Sequence, residues 1–292
     1  MKKMSVTIVS LLFITACGSE NNDNDNLNGN EASLEDHNEE NQNQNEANNQ
    51  NENEDDYESE NEQNEVNNEN NNEENQEEAE VEEEPEILYE LHTDHTVRPI
   101  DDADEQVVLF TIDDAPDNHG VEMAEILHEL DVPAIFFVNG HFINSDGGAE
   151  ELQEIYDLGF EIGNHSMTHP NFNDISEEQQ HDEIVDLNDL IEDITGERPR
   201  FYRAPFGVNT DYSKQVVEDE GMQWMNWTYG YDYFEEYMEK EALADIMVNT
   251  DYLRDGANLL MHDREFTKEA LEDIVEGLRD KGYGFADPDT IK

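Results

Sequence analysis

Two spacings of apolar residues alternate along residues 105–287, and they give the main structural signal of the chain. Short apolar runs such as Val107-Val108-Leu109-Phe110 are typical of buried strands. Between such runs, apolar residues recur at helical spacing, as Met123, Ile126, Leu127 and Leu130 do. The predicted strands cover residues 107–112, 134–138, 160–163, 201–203, 222–228, 257–261 and 283–286. The predicted helices cover residues 122–130, 150–158, 177–195, 212–220, 242–253 and 268–281.

Strands that alternate with helices predict a parallel sheet with helices packed against it. The chain has no Gly-x-Gly-x-x-Gly turn, so about seven such units favour a barrel over a dinucleotide-binding fold. We therefore expect an α/β fold, a distorted (β/α)7-type barrel, in a single catalytic domain over residues 86–292. In barrels the functional side chains lie at the C-terminal ends of the strands.

Residues 1–16 have the pattern of a signal peptide, with Lys2 and Lys3 before a mainly apolar run that is too short to span a membrane. The segment Ile14-Thr15-Ala16-Cys17 resembles a bacterial lipobox, in which the cysteine is lipidated and becomes the first mature residue. An ordinary secretory peptide with a stray cysteine is the alternative. Cys17 is the only cysteine, so no internal disulfide and no thiolate metal ligand elsewhere are available.

Residues 17–85 are dominated by Asn, Glu, Asp and Gln and contain no Lys or Arg. Such a segment cannot bury enough apolar surface to offset its ordering entropy, so we expect a disordered acidic tether. The less favoured alternative is that this acidic segment binds a basic partner. Stretched out, the tether would carry a lipid-anchored domain on the order of 230 Å from the outer face of a bacterial membrane.

The formal net charge of −63 comes from 77 acidic and 14 basic residues, and the acidity continues through residues 86–292. This balance excludes nucleic acid as a partner, since a phosphate backbone needs basic contacts. It also argues against binding of anionic lipid through the surface of the domain. An acidic surface suits high salt, where self-repulsion is screened, or an alkaline habitat. No feature points to an obligate protein partner.

Two separated stretches supply candidate catalytic groups. Asp113 and Asp114 follow the apolar run of the first long strand, and His165 and His169 follow the strand predicted at 160–163. One carboxylate with two imidazoles is the ligand set of a catalytic zinc site whose fourth position stays open. The second carboxylate is then free to act as a base. An Asp-Asp pair alone is usually a turn or a helix cap, but this combination indicates a metal hydrolase.

Five motifs, in this order, resemble those of the polysaccharide deacetylases, carbohydrate esterase family 4. They are Ile112-Asp113-Asp114-Ala115-Pro116, His165-Ser166-Met167-Thr168-His169, Arg203-Ala204-Pro205-Phe206-Gly207, Trp227-Thr228-Tyr229-Gly230-Tyr231-Asp232-Tyr233 and Leu260-Met261-His262-Asp263. The resemblance covers about residues 105–287. It implies a metal-dependent hydrolase that removes acetyl groups from polysaccharide.

The resemblance also implies a role for each matching position. Asp113 matches the general base, and Arg203 matches the residue that holds it and lowers its pKa. His262 matches the general acid, and Asp232 matches the carboxylate that orients the acid. The remaining matches are Asp114, His165 and His169 as ligands of zinc or another divalent transition metal such as cobalt, the Phe206 N–H as oxyanion donor, and Tyr233, Leu260 and Trp227 in the substrate pocket.

Four positions depart from the common family pattern. Ala115 stands for Gly, Phe206 for Tyr, Tyr233 for Trp, and Gly230 for an acidic residue. No ligand and no acid–base residue is missing, so an active enzyme is expected, and the departures bear on substrate preference.

The expected reaction is N-deacetylation of N-acetylglucosamine or N-acetylmuramic acid in cell-wall polysaccharide, with release of acetate. The anchor and the tether favour peptidoglycan as the substrate. An O-acetyl esterase that acts on acetylated polysaccharide and a non-catalytic module that binds wall glycan are the alternatives.

Overall fold

A computed structural model of the protein describes residues 86–292. The predicted signal peptide, the lipobox at Cys17 and the acidic tether lie outside the described residues, and they stay predictions. Within residues 86–292, no helix combines the length and the apolar character needed to cross a membrane.

The described residues form short strands and longer helices in alternation. The strands are β1 (Tyr89–Leu91), β2 (Val97–Pro99), β3 (Val107–Ala115), β4 (Ala134–Val138), β5 (Glu161–Asn164), β6 (Phe201–Tyr202), β7 (Gln223–Trp224), β8 (Tyr229–Gly230), β9 (Ala257–His262) and β10 (Gly284–Phe285). The helices are α1 (Gly120–Glu129), α2 (Gly140–Ile143), α3 (Asp146–Asp157), α4 (Glu177–Thr195), α5 (Asp211–Asp219), α6 (Lys240–Asn249) and α7 (Glu265–Asp280).

Strands β3 to β10 form one parallel sheet in the order β7-β6-β5-β4-β3-β9-β8, with β10 paired to the start of β3. The outermost strands, β7 and β8, are joined by residues 225–228 alone. A connection this short brings the two edges close together, so the sheet curls into an incomplete barrel. The predicted distorted (β/α)7-type fold is thereby confirmed. The antiparallel β1–β2 hairpin has no counterpart among the predicted elements.

The core lies on both sides of the central strands. Strand β4 is buried along its whole length, which explains why its sequence is continuously apolar rather than alternating. Helix α7 packs against the sheet through Leu271, Ile274 and Leu278, which recur at helical spacing. Helix α4 begins at a capping box formed by Ser176 and ends at Gly196, whose φ of 84° is the left-handed conformation that glycine adopts without strain.

The single strand predicted over residues 222–228 is wrong. The structure has β7 and β8 instead, at opposite edges of the sheet, and the residues between them cross from one edge to the other. The Met225 N–H donates to the Tyr202 carbonyl at 2.9 Å on one edge, and the Thr228 N–H donates to the Asn258 carbonyl at 2.8 Å on the other. Apolar residues on both sides of the crossing extend the strand pattern and hide the break.

Candidate active site

The C-terminal ends of the parallel strands surround a cleft of about 380 Å³. Asp113 and Asp114 lie near the end of β3, and His262 is the last residue of β9. The cleft is lined by Asp113, Asp114, His165, His169, Ala204, Phe206, Trp227, Tyr233, Leu260, His262 and Arg264. Arg203 and Asp232 are fully buried and contact the cleft residues from behind. The predicted site residues of the described region are therefore brought together.

The Asp113 carboxylate is buried and held from one side by Arg203. Arg203 Nη1 donates to Asp113 Oδ1 at 2.6 Å, while Asp113 Oδ2 lies 3.6 Å from His165 Nε2. Burial raises the pKa of the Asp113 carboxyl above its ordinary value, and the guanidinium opposes part of that rise. Arg203 acts in the predicted direction, but the net pKa is raised because desolvation outweighs the ion pair.

Arg203 is held in turn by polar groups from several elements. Its Nη1 also donates to Thr111 Oγ1 at 2.7 Å. Its Nη2 donates to the Asn226 carbonyl at 3.0 Å and to Asn258 Oδ1 at 3.1 Å. The guanidinium carbon lies 4.3 Å from the centroid of the Phe137 ring. A charge pair is tolerated in a protein interior when further hydrogen bonds compensate for lost water, and these contacts provide them.

Three ligand atoms of Asp114, His165 and His169 lie within 4.8 Å of one another. Asp114 Oδ1 is 3.6 Å from His165 Nε2 and 3.5 Å from His169 Nε2. Two ligands about 2.0–2.1 Å from a tetrahedral ion are about 3.3 Å apart, so this spacing fits a zinc-sized cation.

His165 is oriented as a neutral ligand. Its Nδ1 donates to the Arg203 carbonyl oxygen at 2.7 Å, and this assignment of the tautomer leaves a lone pair on Nε2. Burial lowers the pKa of His165 to about 3, so the imidazole carries no charge that could pair with Asp114. A lone pair and a carboxylate oxygen that face each other need a cation between them. The chemistry of the donor set therefore fits a metal ion.

A hydrogen-bond network holds the loop that carries both histidines. Asn164 Oδ1 accepts from the Ser166 N–H at 2.8 Å, and Ser166 Oγ accepts from the His169 N–H at 3.0 Å. The Glu183 carboxylate of α4 accepts from the Thr168 N–H at 2.7 Å. Ser166 and His169 have positive φ values of 71° and 58°, a conformation that these surrounding contacts maintain.

His262 is paired with Asp232 through two separate hydrogen bonds. His262 Nδ1 lies 2.7 Å from Asp232 Oδ1, and the His262 backbone N–H donates to Asp232 Oδ2 at 2.6 Å. Thr267 Oγ1 donates to the same Oδ2 at 3.0 Å. Burial by itself lowers the pKa of His262, but the Asp232 carboxylate reverses this effect and the net pKa is raised. The pairing therefore favours the protonated ring and leaves Nε2 available to a substrate.

The pocket wall is formed by the predicted residues Leu260, Tyr233 and Trp227. The Tyr233 ring stands edge-on to the His262 ring, with the centroids 5.9 Å apart. Gly230 pairs with Leu260 across β8 and β9, and a Cβ at Gly230 would lie 2.6 Å from the Leu260 carbonyl oxygen. A side chain at this departure from the family pattern would therefore force the paired backbone of β8 and β9 to shift.

Phe206, the predicted oxyanion donor, lines the cleft and has an unusual backbone conformation. Its φ of 57° turns the peptide out of the regular helical path. Within residues 86–292 its N–H donates to no protein acceptor. Its ring is 65% exposed and contacts the edge of the His169 ring, with the centroids 4.7 Å apart.

Several residues that support the site were not predicted from the sequence. Asp263 accepts hydrogen bonds from the backbone N–H groups of residues 117–119 at 2.7–3.2 Å, and it thereby ties the end of β9 to the loop before α1. Asn258 holds Arg203, and Thr267 holds Asp232. Apart from the place of Asp263 in a motif, no sequence signal marked these residues, because most of their partners are far away in the chain.

Fold and site together define a class of protein. It is an α/β barrel with a candidate metal centre that lies between a buried carboxylate and a histidine paired to a second carboxylate.

The family model and the two relatives named next, which this chain resembles, are all polysaccharide or peptidoglycan deacetylases. A model of the polysaccharide deacetylase family matches residues 100–225. The peptidoglycan-N-acetylmuramic acid deacetylase PdaA of Bacillus subtilis is 28% identical over 192 residues, which cover 64% of this chain and 72% of PdaA. The peptidoglycan-N-acetylglucosamine deacetylase PgdA of Listeria monocytogenes is 28% identical over 188 residues, which cover 63% of this chain and 38% of PgdA.

Among solved structures, BA3943 of Bacillus anthracis, described as a CE4 family pseudoenzyme, superimposes with a TM-score of 0.58 at 29% identity. The match covers 63% of this chain and 64% of BA3943. The chain spans about half, or less, of the length of several other relatives it matches. The family match, the curated relatives and the solved structures together support a polysaccharide deacetylase domain of carbohydrate esterase family 4 in this chain.

Proposed function

We propose that the protein hydrolyses the N-acetyl groups of cell-wall polysaccharide, with peptidoglycan as the substrate, and releases acetate. The observation that carries this proposal is the placement of Asp113 and His262. The two residues are register partners on β3 and β9. They line one cleft together with the ligand triad, so that a base and an acid can reach the same acetamide group.

The proposed reaction uses groups whose positions are described above. Asp113 Oδ2 takes a proton from a water molecule as that water attacks the acetyl carbon. The carbonyl oxygen becomes anionic and accepts a hydrogen bond from the Phe206 N–H. His262 then gives a proton to the nitrogen, the carbon–nitrogen bond breaks, and acetate and a free amine are formed.

Asp114, His165 and His169 would hold zinc, or another divalent transition metal such as cobalt. When bound, such an ion supplies positive charge that polarises the acetyl carbonyl and makes water more acidic. Asp232 keeps the His262 ring oriented, and Arg203 keeps Asp113 Oδ1 occupied so that Oδ2 faces the cleft.

The surroundings of the triad support an N-acetylated sugar as the substrate. Leu260, Trp227 and Tyr233 form an apolar wall that suits an acetyl methyl group. The exposed rings of Phe206 and Tyr233 flank the cleft and offer faces on which pyranose rings can stack. By their names, PdaA and PgdA act on peptidoglycan sugars. Because BA3943 is described as a pseudoenzyme, the fold alone does not imply activity, and the acid, the base and the ligands of this chain are what support it.

We further propose that the protein works outside the bacterial membrane, anchored to its outer face through a lipid on Cys17. The support is the lipobox-like sequence and the acidic segment that follows it. A substrate in the cell wall is consistent with that location.

The test is release of acetate by the full-length protein from peptidoglycan and from chitin oligomers, at high salt, with and without zinc. We expect zinc-dependent release from peptidoglycan that is lost in Asp113→Asn. Release from O-acetylated xylan alone would instead identify an esterase. Glycan binding without any release of acetate would identify a binding module.

A further inference from the structure

Among the residues of 86–292 that line the cleft, Arg264 is the only Lys or Arg. It lies two positions after His262, at the N-terminus of α7. Its Nη1 donates to the Asp232 carbonyl at 2.7 Å, which fixes the guanidinium on the side of the cleft formed by β8 and β9. Arg264 therefore places a positive charge beside the candidate acid.

The remaining donors of Arg264 are available to a ligand. Within the described part of the chain, no carboxylate lies within 4.0 Å of its guanidinium. Carboxylate partners are present for Arg98, Arg198, Arg200, Arg203 and Arg254. Arg279 also has no carboxylate partner among the described residues, but it donates to the Leu130 carbonyl and lies against the Phe285 ring, outside the cleft. A guanidinium has five N–H donors in a planar fork that matches a carboxylate, and a single protein contact leaves most of them unused. The protein has 77 acidic residues, so an arginine without an acidic partner is unexpected. Because Arg264 lies at the candidate cleft, its free donors suit an anionic ligand.

The position of Arg264 relative to His262 indicates which part of a sugar it would meet. In the proposed reaction His262 protonates the nitrogen carried by C2 of the sugar. The neighbouring carbon, C3, carries a hydroxyl group in N-acetylglucosamine and a lactyl ether in N-acetylmuramic acid. The lactyl group ends in a carboxylate, or in an amide where a stem peptide with its own carboxylates is attached. A C3 substituent is therefore attached one carbon away from the carbon that bears the nitrogen served by His262, and Arg264 lines the same cleft two positions after His262.

We propose that Arg264 is a specificity-determining residue that binds a carboxylate on the C3 substituent and so selects N-acetylmuramic acid over N-acetylglucosamine. The inference rests on the proposed function, because it takes His262 as the acid. Asp113 is already paired with Arg203, and Asp114 belongs to the candidate metal triad. Arg264 is therefore the cation of the cleft that has no carboxylate partner of its own among residues 86–292 and can pair with a carboxylate of the substrate.

The experiment compares substrates that differ in one charge. Full-length protein is given a peptide-free N-acetylmuramic acid glycan, the same glycan with its lactyl carboxylates methylated, and a peptide-bearing glycan. We expect kcat/KM for the free acid to exceed that for the ester by about tenfold, as for one charge-assisted hydrogen bond. Arg264→Gln should remove this preference, and Arg264→Lys should keep part of it. Arg254→Gln makes the same charge change at a half-exposed site outside the cleft and should keep the preference in full.

Two results would overturn the proposal. If Arg264→Gln lowered kcat/KM equally for the free acid and for the ester, Arg264 would act only by holding the Asp232 carbonyl. A preference that survives in Arg264→Gln would assign selection to another group. Dependence on Arg264 for the peptide-bearing glycan alone would keep the arginine as the carboxylate-binding residue and place that carboxylate on the stem peptide.

Binding of the acid and the ester is measured by calorimetry beside turnover, and circular dichroism confirms that each variant is folded. If no glycan releases acetate, the proposed function fails. The ratio of the two Kd values, compared between the wild type and Arg264→Gln, still decides the proposal on Arg264.

Discussion

Replacing Arg203 by Met tests whether the buried ion pair behind the cleft has the role that its contacts indicate. The substitution keeps much of the apolar stem and removes the guanidinium that binds Asp113 Oδ1 at 2.6 Å. It also leaves Thr111, Asn226 and Asn258 without this donor. The Asp113 carboxylate would then lie in a water-poor site without its counter-charge.

The expected loss of stability follows from the burial of both partners, whose side chains are 0% and 3% exposed. Removing one member of a buried pair costs about 3–5 kcal/mol, because the other charge stays desolvated. At about 2–4 °C per kcal/mol for a domain of this size, Tm should fall by roughly 6–20 °C. Activity should also be lost, since the base becomes protonated and misoriented.

Thermal unfolding is measured for Arg203→Met, Asp113→Asn and the double variant. The double variant should lose less free energy of unfolding than the sum of the single variants, because it leaves no unpaired buried charge. Arg254→Met is the control, since its partner Asp94 lies 3.7 Å away at the surface and such pairs are worth about 0–1 kcal/mol. Losses that simply add, or a loss for Arg203→Met no larger than that of the control, would refute this reasoning.

Three further predictions concern other parts of the site. Asp232→Asn removes the carboxylate that raises the pKa of His262, so the fall in kcat/KM with rising pH should move to lower pH; an unchanged alkaline limb would contradict the role of the pair. Removing metal with a chelator should lower Tm. Zinc at about 100 times its Kd should restore about 2.7 kcal/mol of unfolding free energy to the wild type but not to His169→Ala. Equal recovery in both proteins would argue against the triad. Gly230→Ala should lower the unfolding free energy measured by chemical denaturation by about 1–3 kcal/mol, because the added Cβ meets the Leu260 carbonyl oxygen. Gly147→Ala is the control, since a Cβ there meets nothing within 4 Å and should not destabilise the protein. Equal effects of the two substitutions would show that the contact at Gly230 does not cause the loss of stability.

Local signals allowed much of the fold to be predicted. Strand β4 and helix α4 match their predicted ranges, because a continuous apolar run and a capped helical repeat are unambiguous. Helix α2 was missed, since four residues are too few to show a helical period. The crossing at 225–228 was missed because its apolar neighbours extend the strand pattern on both sides.

The candidate site divides in a similar way. Residues that perform chemistry stand in motifs and could be named from the sequence, as Asp113 and His262 were. Residues that hold them depend on the tertiary structure, and Asn258 reaches Arg203 across 55 positions of the chain. The net pKa of Asp113 also required the structure, because the sequence shows the arginine but not the depth of burial that outweighs it.

Mass spectrometry of peptidoglycan treated with the full-length protein and zinc tests the central claim most directly. After digestion to muropeptides, the account predicts sugars that have lost an acetyl group and gained a free amine, with an equal amount of acetate in solution. Asp113→Asn should give neither product. Intact N-acetyl groups after treatment with folded, zinc-loaded protein would contradict the assignment of the cleft as an N-deacetylase site.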